Sequence, residues 1–66
     1  MRNPNRLDRF YDDIKLLHKE YFPDLRFGQL FTNFLGWVLY EKKRDPFFIE
    51  ESTMIDYFKE YCGLIK

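Results

Sequence analysis

DLRFGQLFTNFLGWVLYEKKR, residues 24–44, is the stretch on which the fold turns, and it reads as one long helix. With about 100° between successive residues, Phe27, Leu30, Phe31, Phe34, Leu35, Trp37 and Val38 spread over about 160° of its circumference. An ordinary surface helix carries an apolar stripe of roughly 100°. So wide an arc calls for cover on two sides, which makes residues 25–44 the expected centrepiece of the core. The remaining face holds Arg26, Gln29, Thr32, Asn33, Gly36 and Tyr40 and, Arg26 apart, is polar without being charged.

Helices are expected on both sides of this stretch. Upstream, Leu7, Phe10, Ile14, Leu17 and Tyr21 recur at alternating spacings of three and four, so they share one stripe of a helix over residues 4–21. Asn3 followed by Pro4 suits its start, the amide capping free N–H groups and the proline occupying the first turn. Leu16 points away from the stripe and is expected to be exposed. Phe22 and Pro23 end this helix, since the residue before a proline is pushed out of the helical region. Asp24 is then the expected cap of the next one. Downstream, Ser52 or Thr53 caps a third helix over residues 53–62, with Asp56 supporting its N-terminus. Met54, Ile55, Phe58, Tyr61 and Cys62 form its apolar face, Gly63 suits a C-terminal cap, and residues 64–66 would fray.

The links are equally legible. Glu41 to Asp45 is a charge run, suited to a solvated helix end where cations meet the last carbonyls. Residues 46–49 form a short, extended apolar connector, entered through an extended Asp45, from which Phe47 or Phe48 is expected to fold back over the central helix. Gly28 and Gly36 interrupt that helix. They imply a close crossing by a neighbouring helix, by the chain after Arg44, or by the backbone of a partner. With no strand alternation, repeat or low-complexity tract, residues 1–66 are read as a single all-α domain of three helices.

Composition narrows the function classes. A chain of 66 residues is near the size at which a core alone is marginal, and its single cysteine excludes disulfide staples. One cysteine also points to a reducing, cytoplasmic setting. Aromatic residues make up 21% of the chain, more than so small a core can hide, so some rings are expected at the surface. Eleven basic and eleven acidic residues cancel, leaving none of the basic excess that phosphate neutralisation requires. The longest uncharged stretch, Phe27 to Tyr40, falls short of the roughly 20 apolar residues of a membrane span and contains Gln29, Thr32 and Asn33. Residues 1–7 are not followed by the apolar segment of a signal peptide.

No constellation points to catalysis. The lone His18 sits at the edge of an apolar stripe far in sequence from Cys62, and nothing sets a base, a nucleophile and an oxyanion donor together. The acidic neighbours Asp12 with Asp13 and Glu50 with Glu51 diverge by about 100° on a helix and make no natural metal site. No enzyme, cofactor, metal or small-molecule substrate is therefore expected. Arg26, Gln29 and Asn33, spaced by three and four, give the best argument for DNA, since Gln and Asn read adenine and Arg reads guanine. Flanking phosphate clamps are missing. A protein contact fits better: Arg26, Gln29, Asn33, Gly36 and Tyr40, with Phe47 and Phe48, combine interface-favoured types with low charge. The same Gln29 and Asn33 amides have a structural alternative, hydrogen bonding to the backbone of residues 45–49.

The residues also carry a resemblance. Arg26, Gly28, Gln29 and Leu30, with Asn33 and then Asp45, Pro46, Phe47, Phe48 and Glu50, resemble a pattern of small uncharacterised bacterial and phage-associated helical proteins. That pattern is Arg-x-Gly-Gln-Leu, then Asn, then Asp-Pro-Phe-aromatic-x-Glu, and it covers about half the chain. The resemblance implies no reaction. It implies a bacterial or mobile-element setting, in which compact proteins bind and inhibit a host protein. The partner expected is accordingly a larger protein or, in a homodimer, a second copy.

Overall fold

The computed structural model describes residues 2–65, with the side chain of Ile65 left aside. Helices α1 (Arg6–Tyr21), α2 (Phe27–Glu41) and α3 (Glu51–Ile65) and a 3-10 turn at Pro46–Phe48 make an all-α domain. Its radius of gyration is 11.9 Å. Among the described residues no helix is long and apolar enough to cross a membrane.

The start of α1 lies two residues beyond the expected one. Asn3 Oδ1 accepts the Asn5 N–H at 2.9 Å, and the N–H groups of Arg6, Leu7 and Asp8 reach back three residues to the carbonyls of Asn3, Pro4 and Asn5. Asn3 and Pro4 thus build a tight lead-in turn, and Asn5 is the N-cap. At the other end Phe22 leaves the helix as its proline neighbour requires, its N–H donating to the His18 carbonyl at 3.0 Å. His18 then fastens the link to α2. Its Nε2 donates to the Leu25 carbonyl at 2.9 Å, and its ring meets Phe31 edge-on, with centroids 6.3 Å apart.

Arg26, rather than Asp24, is the N-cap of α2. Its backbone is extended, and its N–H donates to Gln29 Oε1 at 2.8 Å. An arginine side chain has no acceptor, so only the glutamine half of a capping box operates here. The helix ends at Glu41 and not at Arg44, because Lys43 turns left-handed at φ 56°. The charge run is exposed as expected, Lys42 alone being half-buried, and it also fastens the helix end. Lys42 Nζ lies 2.8 Å from Glu60 and over the rings of Trp37 and Tyr57, and Arg44 donates to the Tyr57 hydroxyl at 3.0 Å. Cations on aromatic faces and on a carboxylate of α3 hold the two helices together at this end.

The connector is a turn rather than an extended strip. Asp45 is extended before Pro46 as expected, its Oδ1 accepts the Phe47 N–H at 2.9 Å, and the carbonyls of Asp45 and Pro46 accept from Phe48 and Ile49. Ile49 packs toward the core, while Phe47 and Phe48 pair with each other edge-on. Neither phenylalanine folds back over α2: they are 84% and 76% exposed. A three-residue turn that satisfies its own backbone leaves no extended segment to lay a ring on the helix.

Helix α3 begins at Glu51, ahead of the expected Ser52 or Thr53 cap, and the Glu50 carbonyl accepts the Met54 N–H at 2.9 Å. It passes straight through Gly63, which has no positive φ and so does not act as a cap. Leu64 and Ile65 are helical, and Lys66 lies outside the described residues.

The core is Leu30, Phe34 and Val38 of α2, Phe58 and Cys62 of α3, and Phe22. The residues Ile14, Leu17 and Tyr21 of α1 pack against it half-buried. Helix α3, not α2, lies alongside both other helices. The apolar arc is therefore covered only in part: Leu35 at its edge is exposed, and Phe27, which shares the angle of the buried trio but is the first residue of α2, is 70% exposed. Two partner helices of this size cover a stripe, and the rest of the arc stays in water.

Candidate interaction surface

The outward side of α2 follows from the same helical spacing. Leu30, Phe34 and Val38 point inward, so the opposite arc of about 160° carries, in angular order, Leu35, Gly28, Leu39, Thr32, Gly36, Gln29, Tyr40 and Asn33. All are exposed except half-buried Gly36. The buried trio on the opposite side anchors the helix that carries this arc, and no charge interrupts it from Phe27 to Tyr40. Tyr40 is 76% exposed, and the 3-10 turn bearing Phe47 and Phe48 follows closely on the C-terminal end of the same helix. Arg26 is exposed at its N-terminal edge.

Of the residues expected to meet a partner, Arg26, Gln29, Asn33, Gly36 and Tyr40 share α2 or its cap, and Phe47 and Phe48 stand beside it. Gln29 does not tie down the connector, since its carbonyl holds the start of its own helix and the connector's bonds are local. The glycines meet no crossing chain: a Cβ built at Gly28 or Gly36 finds nothing within 4 Å. Leu35, expected on the covered apolar arc, and Leu39, which the sequence reading did not place, both belong to the surface. Leu39 falls between Gly28 and Thr32 in angle, and its spacing alone would have placed it there.

A groove of about 410 Å³ runs between α1 and α3, lined among others by Arg6, Arg9, Phe10, Asp13, Glu51 and Lys59. Its charges are largely matched to each other. Arg6 Nε lies 3.0 Å from Glu51 Oε1, Arg2 pairs with Glu50, and Arg9 approaches Asp13 at 3.8 Å. The hydrogen bond from Arg6, aided by a backbone bond at the same residue, holds the Glu51 carboxyl below its ordinary range. The stabilisation this supplies is full above the unfolded glutamate value of about 4.3 and is lost as pH falls through the lower folded value. Glu51→Gln is accordingly expected to flatten the acid-side fall of melting temperature. A pair this exposed limits the effect to about 1 kcal/mol or less, readable in thermal melts from neutral pH downward.

His18 and Cys62 both serve the fold. The histidine is engaged with the Leu25 carbonyl, and Cys62 is enclosed in the core, where burial pushes its thiol up and keeps it protonated. Comparison with protein-family models, with curated proteins and with solved structures finds no match for the chain.

Proposed function

We propose that this chain is a small protein-interaction module whose working surface is the uncharged outward arc of α2 together with the 3-10 turn. The observation that carries this reading is the exposure of Tyr40, Phe47 and Phe48, at 76%, 84% and 76%. Aromatic side chains left in water on a core-poor domain are the usual anchors of protein contacts. The flanking amides of Gln29 and Asn33 and the guanidinium of Arg26 supply a polar rim. The resemblance of the Arg26–Leu30 and Asp45–Glu50 segments to bacterial and phage-associated proteins supports a bacterial or mobile-element setting, in which the partner is a larger protein or a second copy of the chain.

A pull-down from the source cells, analysed by mass spectrometry, tests the reading. The wild-type chain is expected to retain a protein that Tyr40→Asp loses while its circular dichroism is unchanged. Equal recovery by both chains would remove the surface from consideration. Exposed Arg26, Gln29 and Asn33 also favour a second reading, DNA or RNA contact through that stripe. A fluorescence titration at low salt, where phosphate attraction is strongest, decides between them.

A further inference from the structure

The outward arc of α2 is chemically able to face itself. In a two-fold interface each group near the axis meets its own copy. An ammonium or carboxylate there meets its like, whereas an amide or hydroxyl, donor and acceptor at once, can pair with itself. Thr32, Gln29 and Asn33 are of the second kind, and the arc holds no charge of the first. The outer face of α1, with Asp8, Arg9, Asp12, Lys15 and Lys19, lacks this property. Eleven basic and eleven acidic residues leave no net repulsion between two copies.

We propose that the occupant of this surface is a second copy of the chain, packed α2 against α2 about a two-fold axis near Thr32 and Gly36. The proposal rests on reading the arc as a protein-contact surface and names its partner. The available area suits it. An enclosed aromatic side chain contributes about 150–250 Å², so Tyr40, Phe47 and Phe48 at their exposures hold on the order of 350–600 Å² per copy. Exposed Leu35 and Leu39 bring the surface toward the about 800 Å² per partner of a stable interface. The glycines agree. Gly28 and Gly36 weaken the helix relative to alanine, yet a Cβ at either meets nothing within 4 Å inside one copy. A close approach of two α2 backbones is a use for both that the single chain lacks.

Sedimentation equilibrium of the intact chain from micromolar to millimolar concentration provides the test. The wild type is expected to dimerise reversibly. Thr32→Lys, which brings two ammonium groups together at an exposed position, is expected to weaken the dimer by about tenfold or more with an unchanged helical spectrum. Gly36→Ala separates the two roles by sign: the dilute monomer should melt higher, because the new methyl enters open space, and the dimer should weaken, because that methyl holds the backbones apart. A wild type that stays monomeric throughout overturns the proposal, as does a dimer indifferent to both substitutions. A monomer that still captures a different protein in a Tyr40-dependent way would overturn the second copy alone and leave the broader reading standing.

Discussion

Replacing Phe58 by alanine is expected to leave the chain largely unfolded at room temperature. Phe58 is fully enclosed, and its ring lies 4.8 Å from that of Phe34, 5.5 Å from Phe31 and 6.4 Å from Phe22, centroid to centroid. It therefore joins α3 to α2 and to the chain leaving α1. Truncating a buried phenylalanine costs about 3–5 kcal/mol, from lost transfer energy and from the cavity left behind. A core in a chain this short rarely supplies more than about 3–5 kcal/mol in total. The two magnitudes meet, so the helical signal in circular dichroism should fall at neutral pH without denaturant. Phe58→Leu, which refills most of the volume, should restore a cooperative melt at a lower temperature. A native spectrum and unchanged melting for Phe58→Ala would show that the aromatic cluster is not what holds the helices together.

The same cluster marks how far the fold is legible in the sequence. The trio Leu30, Phe34 and Val38 was readable because period and burial coincide, and the stripe from Leu7 to Tyr21 because its period marks the half-buried side of α1. The centre of the fold was misplaced because breadth of hydrophobicity is not breadth of burial. Leu35 widens the arc on paper but stays in water at its edge, Phe27 is central in angle yet exposed at the first residue of the helix, and α3 takes the position between the other two helices. Helix ends were misplaced for a different reason. Asn3, Asp24 and Ser52 are good caps by residue type, yet the helix starts were decided by bonds that residue type does not specify: the Asn3 turn, the Gln29 amide on Arg26, and the Glu50 carbonyl beneath Met54. Lys43 at φ 56° ends α2 within a run of charges that propensity would have continued. On the surface, Tyr40 and Asn33 were legible from angle alone. The exposure of both Phe47 and Phe48 was not, since it depends on Asp45 closing a turn.

Those two phenylalanines carry the second large expectation, with the opposite division of effects. Phe47→Ser combined with Phe48→Ser should leave the melting temperature nearly unchanged while lowering affinity for the partner by about 100-fold, the scale of an interface hot spot. Stability is spared because the rings contact each other at 4.9 Å and are 84% and 76% exposed, so little apolar area returns to water on truncation. The turn itself survives, since the Asp45 carboxylate and the carbonyls of Asp45 and Pro46 hold it through backbone N–H groups that serine retains. Binding suffers because exposed rings gain what buried rings have already gained: each has its apolar area still to lose to a partner. The contrast with Phe58 is the useful one. A melt and a binding titration on the two variants side by side should show stability lost in one and affinity lost in the other. A fall in stability for the double variant comparable with that of Phe58→Ala would mean that the rings at 47 and 48 support the fold, and the surface assigned to the partner would then shrink to the arc of α2.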